Sequence, residues 1–303
     1  MAPTTKVAIA GATGNIGLPT LKALLAANHD VVVLTRKGSN SASKLPKASN
    51  LTIKEVDYAS VDELTSALEG VKVVVSTLAT TSIGEQNPLI DAAVAAGVER
   101  FLPSEFGSDT VNPVTSKLPV FQFKVATQEY LKEKAAQNPQ FSYTLVITGP
   151  FFDWGLDHGF ILNPKGHSGT LWNGGDVDFS TTTLASIAQA VVGVVAHLDE
   201  TKNRAVYVHD AITTQNKLIG YAKEKDGKEW DTTVKSTKDV YDESLKELQS
   251  GGDIGKAMVG FILSGIFGGK ETGGSFEGRD DNKLLGLKGY TVDEVKALVQ
   301  SFV

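Results

Sequence analysis

The first half of the chain alternates between short apolar runs and amphipathic stretches. Lys6–Ala10, Asp30–Thr35 (DVVVLT), Leu51–Val56, Val71–Thr77 (VKVVVST), Val98–Pro103 and Phe141–Ile147 each read as a strand. Continuous β-branched runs such as DVVVLT are the pattern of strands buried on both faces. Helical spacing fills the gaps, through Leu18, Leu21, Leu24 and Leu25, then over Val61–Leu68, Pro88–Ala96 and Pro119–Ala136. Gly70 and Gly97 stand just past two of these stretches, where a helix is commonly stopped. Strands that alternate with helices imply right-handed crossovers and a parallel sheet covered on both sides, a doubly wound α/β fold of the Rossmann type. Such sheets bind ligands at the carboxyl ends of their strands. The chemistry is therefore expected at 11–17, 35–37, 57–58, 77–80, 103–107 and 148–154.

Beyond residue 150 the rhythm breaks. Residues 151–175 are rich in aromatics, Gly and Pro. A helix over Thr183–Ala196, a strand over Ala205–His209, a helix over Thr214–Lys225, a strand over Thr232–Lys235 and C-terminal helices follow. The expected division is a dinucleotide-binding domain over 1–150 and a smaller α/β substrate cap over 151–303, the two sharing a cleft. Residues 37–48 and 268–278 read as flexible.

Composition narrows the function classes. With 29 Lys+Arg against 35 Asp+Glu, a net charge of −6 and no basic block, nucleic acid is not an expected partner. The absence of Cys removes disulfides, thiol nucleophiles and thiolate metal sites together. The chain enters an apolar strand almost at once, and the apolar stretch from Ile187 to Ala196 falls far short of the roughly 20 residues needed to span a bilayer. A cytoplasmic protein with no membrane contact is expected.

Gly11-Ala-Thr13-Gly14-Asn15-Ile16-Gly17 lies between the first strand and the first helix. In this context a G-x-x-G-x-x-G loop turns the chain tightly, lets the backbone approach a pyrophosphate and packs helix against strand. The positive end of the helix then faces the phosphates. The second strand ends Leu34-Thr35-Arg36-Lys37, with Ser39 and Lys44 nearby and no acidic residue to hold a ribose 2′-hydroxyl. Arg36 offers a fork for a 2′-phosphate, which favours NADPH over NADH. Asp57-Tyr58 fits an adenine contact or a plain surface turn.

Three groups compete for the chemistry. Tyr130-Leu-Lys-Glu-Lys134 has Y-x-x-x-K spacing but sits in a run of Lys and Glu that reads as a solvated face. Lys124 shares a helical stripe with Phe121, Gln128 and Leu131, so it can face the cofactor and either hold a ribose hydroxyl or donate a proton to a reduced substrate, the more easily if burial lowers its proton affinity. His29, His158, His167, His197 and His209 are scattered without metal-ligand spacing, so no metal is expected; His158 and His167 fall in the aromatic stretch. Ser104 and Glu105 follow a strand, but no G-x-S-x-G elbow supports a hydrolase.

Taken together, the glycine loop, Arg36, Arg100-Phe-Leu-Pro-Ser-Glu-Phe-Gly107, Lys124 and Thr148-Gly-Pro-Phe-Phe152-Asp-Trp154 resemble the NmrA-like and isoflavone reductase-like group of atypical short-chain dehydrogenases. The resemblance implies NADPH held by the glycine loop, by Arg36 and by a basic residue in the next loop, matched by Lys44. It implies that Thr77, Leu78 and Ala79 lie beside the nicotinamide ribose, that Phe152 lies against the nicotinamide ring, and that Lys124 is the catalytic residue. Two departures stand out. Phe123 precedes Lys124 where the plant reductases have alanine, and Phe151-Phe-Asp-Trp154 is similar to fungal members. A plant lignan substrate is therefore not implied.

Phe106, Phe151, Trp154 and His158 are the expected substrate contacts, suited to a flat, aromatic small molecule; Phe160 and Trp172 extend the same aromatic set. The leading expectation is an NADPH-dependent reductase of a small aromatic or conjugated carbonyl or ether in secondary metabolism. The rival is a non-catalytic NADP(H)-binding redox sensor that acts through a protein partner.

Overall fold

The computed structural model describes residues 4–303. Its first half follows the alternation of apolar and amphipathic segments closely: β1 (Lys6–Ala10), α1 (Gly17–Ala26), β2 (Asp30–Arg36), β3 (Leu51–Val56), α2 (Val61–Ala67), β4 (Val73–Ser76), α3 (Asn87–Ala95), β5 (Arg100–Leu102), α4 (Gln122–Gln137) and β6 (Ser142–Ile147). The second half contains α5 (Phe152–Asp157), β7 (Ser168–Trp172), β8 (Phe179–Thr181), α6 (Leu184–Ala196), β9 (Arg204–Tyr207), β10 (Ala211–Thr213), α7 (Gln215–Asp226), β11 (Asp231–Lys235), α8 (Thr237–Gln249), α9 (Ile254–Phe267) and α10 (Val292–Ser301). No helix among the described residues is long and apolar enough to cross a membrane.

The large sheet runs β3-β2-β1-β4-β5-β6-β9, with every neighbouring pair parallel. Side chains alternate across it with period two. Val7 and Ile9 pack in one core layer with Leu21 and Leu24 of α1 and Ile187 and Val191 of α6. Ala8 and Ala10 pack in the other with Leu64 of α2, Ile90 of α3 and Leu131 of α4.

The expected division at residue 150 does not coincide with these layers. β9 pairs with β6 from Thr144–Arg204 to Ile147–Tyr207, so the strand assigned to the cap completes the large sheet instead. The physical reason lies in β6, which is buried along its whole length and needs a second neighbour for its backbone N–H and C=O groups. The cap is then α5, the β7–β11 and β8–β10 pairs, and α7–α10, around a separate core that includes Phe152, Phe179, Leu218 and Phe267.

Residues 268–278, read as flexible, are tied down. Ser180 donates its N–H to the Gly274 carbonyl at 2.9 Å, and its hydroxyl accepts the Phe276 N–H at 2.8 Å. Arg279 then pairs with buried Asp109 at 2.7 Å, its guanidinium 4.4 Å over the Tyr207 ring.

Arg100, part of the motif that carries the resemblance, is a structural residue. It is fully buried and donates to Ser142, Thr144 and Thr201 hydroxyls at 2.7–2.9 Å and to the Leu198 carbonyl, joining β5 and β6 to the turn after α6. Burial lowers its pKa to about 10.

Candidate active site

One cleft of about 680 Å³ runs along the carboxyl ends of β1, β2, β4 and β5. At its centre is the glycine loop. Gly11 has φ +83°, and a Cβ there would lie 2.5 Å from the Thr77 carbonyl oxygen. Gly17 does not line the cleft; a Cβ on it would lie 2.1 Å from the Gly11 oxygen, so it serves the close packing of α1 on the loop. Gly14 differs from both. Its added Cβ would meet protein no closer than 3.4 Å, so what a side chain would fill there is space in the cleft. Thr13, Asn15 and Ile16 complete this wall, and no side chain caps the start of α1 at Ile16. A loop that leaves the space at Gly14 open, below an uncapped helix N-terminus, is the chemistry a pyrophosphate requires.

Toward one end lie Leu34, Thr35, Arg36, Ser41 and Tyr58. Lys37 is engaged by Glu63 at 2.6 Å, whereas the Arg36 guanidinium makes no ion pair or hydrogen bond among the described residues. Tyr58 donates to the Leu34 carbonyl at 3.1 Å, and burial raises its phenol above the usual range. Lys44 is not on this wall. It is exposed on a 3-10 turn over Asn40–Lys44 that presents Ser41 to the cleft and Lys44 to solvent.

Thr77, Leu78 and Ala79 follow β4 along the middle of the cleft. The Thr77 hydroxyl donates to the Ala10 carbonyl at 2.8 Å, and the Ser104 hydroxyl to the Leu78 carbonyl at 2.7 Å. Buried Gln86 accepts the Ser104 N–H at 3.0 Å, which fixes the loops after β4 and β5 to each other. Ser82 and Ile83 also line this stretch.

Phe106, Lys124 and Phe151 close the far end. Phe106 is buried with φ +37°, a conformation uncommon for a side-chain-bearing residue, and its N–H donates to the Val146 carbonyl at 3.0 Å. The Lys124 ammonium donates to the Glu105 carbonyl oxygen and lies 5.8 Å from the Phe121 ring centroid. Burial pushes its pKa below the ordinary lysine value, opposed by the charge of Glu105.

Three expected contacts are elsewhere. Phe152 is fully buried in the cap core and does not reach the cleft; its neighbour Phe151, extended ahead of α5, does. Trp154 stacks on His158 at 4.6 Å, with His158 exposed, so this pair covers α5 rather than lining the cleft. Tyr130 and Lys134 both bind Asp91, at 2.7 and 2.6 Å, away from the cleft. Ser41, Ser82, Ile83, Ser104 and Glu105 line the cleft without having been singled out as contacts. For the last two, their place after a strand was the available signal. Ser41, Ser82 and Ile83 sit on 3-10 turns that no periodicity marks.

The model of the NmrA-like family matches residues 3–256. Among curated relatives, oxidoreductase aprR of Aspergillus flavus is 33% identical over 301 residues, covering 98% of this chain and 99% of the relative. Oxidoreductase poxI of Penicillium oxalicum is 33% identical over 306 residues, covering 97% and 93%. Among solved structures, AtPrR2 with NADP+ and (+)pinoresinol superposes over the full length of both chains with a TM-score of 0.80 at 24% identity, a likeness of fold. Matched over most of its length by the family model and over nearly all of it by two fungal relatives, the chain belongs to the NmrA-like family.

Proposed function

We propose that the protein is an NADPH-dependent reductase that delivers a hydride to a small aromatic or conjugated carbonyl or ether compound. The observation that carries this is the continuity of one cleft. A glycine loop with open space at Gly14, an unengaged arginine and, at the far end, a half-buried lysine beside two aromatic rings all open onto it. The names of the two fungal relatives and the NADP+ in the solved AtPrR2 structure agree with the reading.

When bound, NADPH supplies the hydride. The chain's residues do the rest. The loop from Gly11 to Ile16 offers backbone N–H groups to the pyrophosphate, and Arg36 offers its fork to the 2′-phosphate. Thr77, Leu78 and Ala79 form the floor under the nicotinamide end. Phe106 and Phe151 exclude water and give a flat substrate surfaces to stack on. Lys124, with its ammonium at the wall and its proton affinity reduced by burial, gives the proton that the reduced substrate takes up.

The test begins with titration by NADPH and NADH, followed by a panel of aromatic ketones and enones with absorbance of the reduced cofactor as readout. NADPH is expected to bind more tightly, and Arg36→Gln to weaken it by about 10- to 100-fold while leaving NADH unchanged. A preference for NADH would overturn the assignment of Arg36. Tight binding of both redox forms with no turnover across the panel would replace the reductase by a redox sensor.

A further inference from the structure

Glu105 joins the loop after β5 to α4, and both of its ends are engaged. Its carbonyl oxygen accepts from Lys124 Nζ. Its carboxylate, buried to 3% exposure, accepts from the Thr110 hydroxyl at 2.7 Å on one oxygen and from Gln128 Nε2 at 2.8 Å on the other. Gln128 also donates to the Thr110 oxygen at 2.8 Å, which closes a three-membered ring of hydrogen bonds. On α4, Gln128 lies one turn beyond Lys124, so the loop is stapled to the helix at two successive levels. Beside this pair is Gly107. A Cβ on it would stand 3.7 Å from both Lys124 Nζ and the Glu105 oxygen, and no side chain stands there.

Buried carboxylates are normally held by a cation. Here both hydrogen-bond donors to the carboxylate are neutral, so its charge is left to act on whatever faces it. We propose that Glu105 is the positioning residue of Lys124: its carbonyl fixes the ammonium at the cleft wall, and its carboxylate, clasped by Thr110 and Gln128, supplies the negative charge that faces that ammonium. Among the described residues, the other charged groups on α4 and around it are engaged or exposed: Glu129 pairs with Lys132 on α4, and Asp109, next to Thr110, pairs with Arg279. Asp91 of α3 is taken by Tyr130 and Lys134, and Lys117 ahead of α4 points to solvent. β6 contributes no charged residue, and the cleft's remaining titratable groups, Arg36 and Tyr58, belong to its opposite end. Burial, the larger effect, favours the neutral amine and Glu105 opposes it, so Glu105 keeps more of Lys124 protonated than burial alone would.

The catalytic consequence rests on the reading of Lys124 as proton donor; its titration does not. Acetic anhydride labelling across a pH series, with the Lys124 peptide quantified by mass spectrometry, gives the midpoint of Lys124 without any substrate. In Glu105→Gln that midpoint is expected to fall by about one pH unit, and the alkaline limb of NADPH oxidation to fall with it. An unchanged midpoint overturns the proposal. A shifted midpoint with an unmoved alkaline limb upholds it and refutes the proton-donor reading instead. Should the variant fail to fold alone, both proteins are labelled saturated with NADPH, which adds stability to the bound form. A variant that stays unfolded even then assigns Glu105 to the architecture of the loop and overturns its role toward Lys124.

Discussion

The two ends of α4 carry the same residue type in opposite circumstances. At its start, Lys124 is half-buried at the cleft wall, donates to a main-chain oxygen and is pushed below the ordinary lysine pKa by burial. Near its end, Lys134 pairs with Asp91 at 2.6 Å and lies 4.8 Å over the Tyr130 ring, and its pKa is raised, mainly through the Asp91 hydrogen bond. Tyr130 is raised too, first by burial and then by Asp91. A tyrosine that would give up its proton needs its pKa lowered, so this Y-x-x-x-K pair is tuned the wrong way and turned the wrong way. Spacing selects candidates; surroundings decide between them.

The largest expected effect lies at the cleft end. Lys124→Ala should cut turnover by roughly 10²- to 10⁴-fold, the range for loss of a positioned proton donor, with NADPH affinity changed by less than about threefold. Turnover near the wild-type level would remove the distinction between the two lysines.

A smaller effect is expected in stability, and its sign is informative. Because folding lowers the Lys124 pKa, the unfolded chain binds more protons between the folded midpoint and the ordinary value near 10.5. Wild-type stability therefore rises with pH across that window, and the burial penalty is felt in full below it. Lys124→Met should melt a few degrees higher than wild type at neutral pH, the gain shrinking as pH climbs through the window. Thermal melts at several pH values decide this, and a lower melting temperature at neutral pH would mean that the ammonium is not penalised where it sits.

The smallest effects belong to the other end of the helix. Tyr130→Phe and Lys134→Gln should leave turnover within about twofold and cost about 1 kcal/mol or less, as for surface-side pairs. Steady-state rates and denaturant melts suffice. A large loss of turnover in either variant would reinstate the Y-x-x-x-K pair.

Much of this was readable from residue order because the first half obeys local rules. The spacing of apolar positions gave β1 and β3 to the residue, and the rule that ligands gather at strand ends pointed to the segments containing Gly11, Arg36 and Thr77; Lys124, on a helix, came instead from its stripe with Phe121, Gln128 and Leu131 and from the family resemblance. What escaped depends on contacts between distant segments. Phe151 and Phe152 are adjacent and identical in type. One lines the cleft and the other fills the cap only because α5 begins between them, and a six-residue helix rich in aromatics and Gly has no periodicity to announce its start. Lys44 ends a 3-10 turn whose Ser41 reaches the cleft while Lys44 itself is left exposed. Trp154 and His158, one helical turn apart, satisfied each other. β9 was read as a strand, but nothing in RAVY says which sheet it joins; that is set by the exposed flank of β6.

That late strand has a consequence for how the chain is made. As the polypeptide leaves the ribosome, β6 emerges about 60 residues before the strand that will protect its outer side. Through that interval β6 is an apolar edge open to pairing with other chains, which is the hazard of unprotected edges. The Arg100 guanidinium waits as well, since Leu198 and Thr201 are still to be synthesised. The nucleotide half therefore becomes a finished unit only after part of the cap has been threaded out, and a truncation at residue 150 would capture a sticky intermediate rather than a domain.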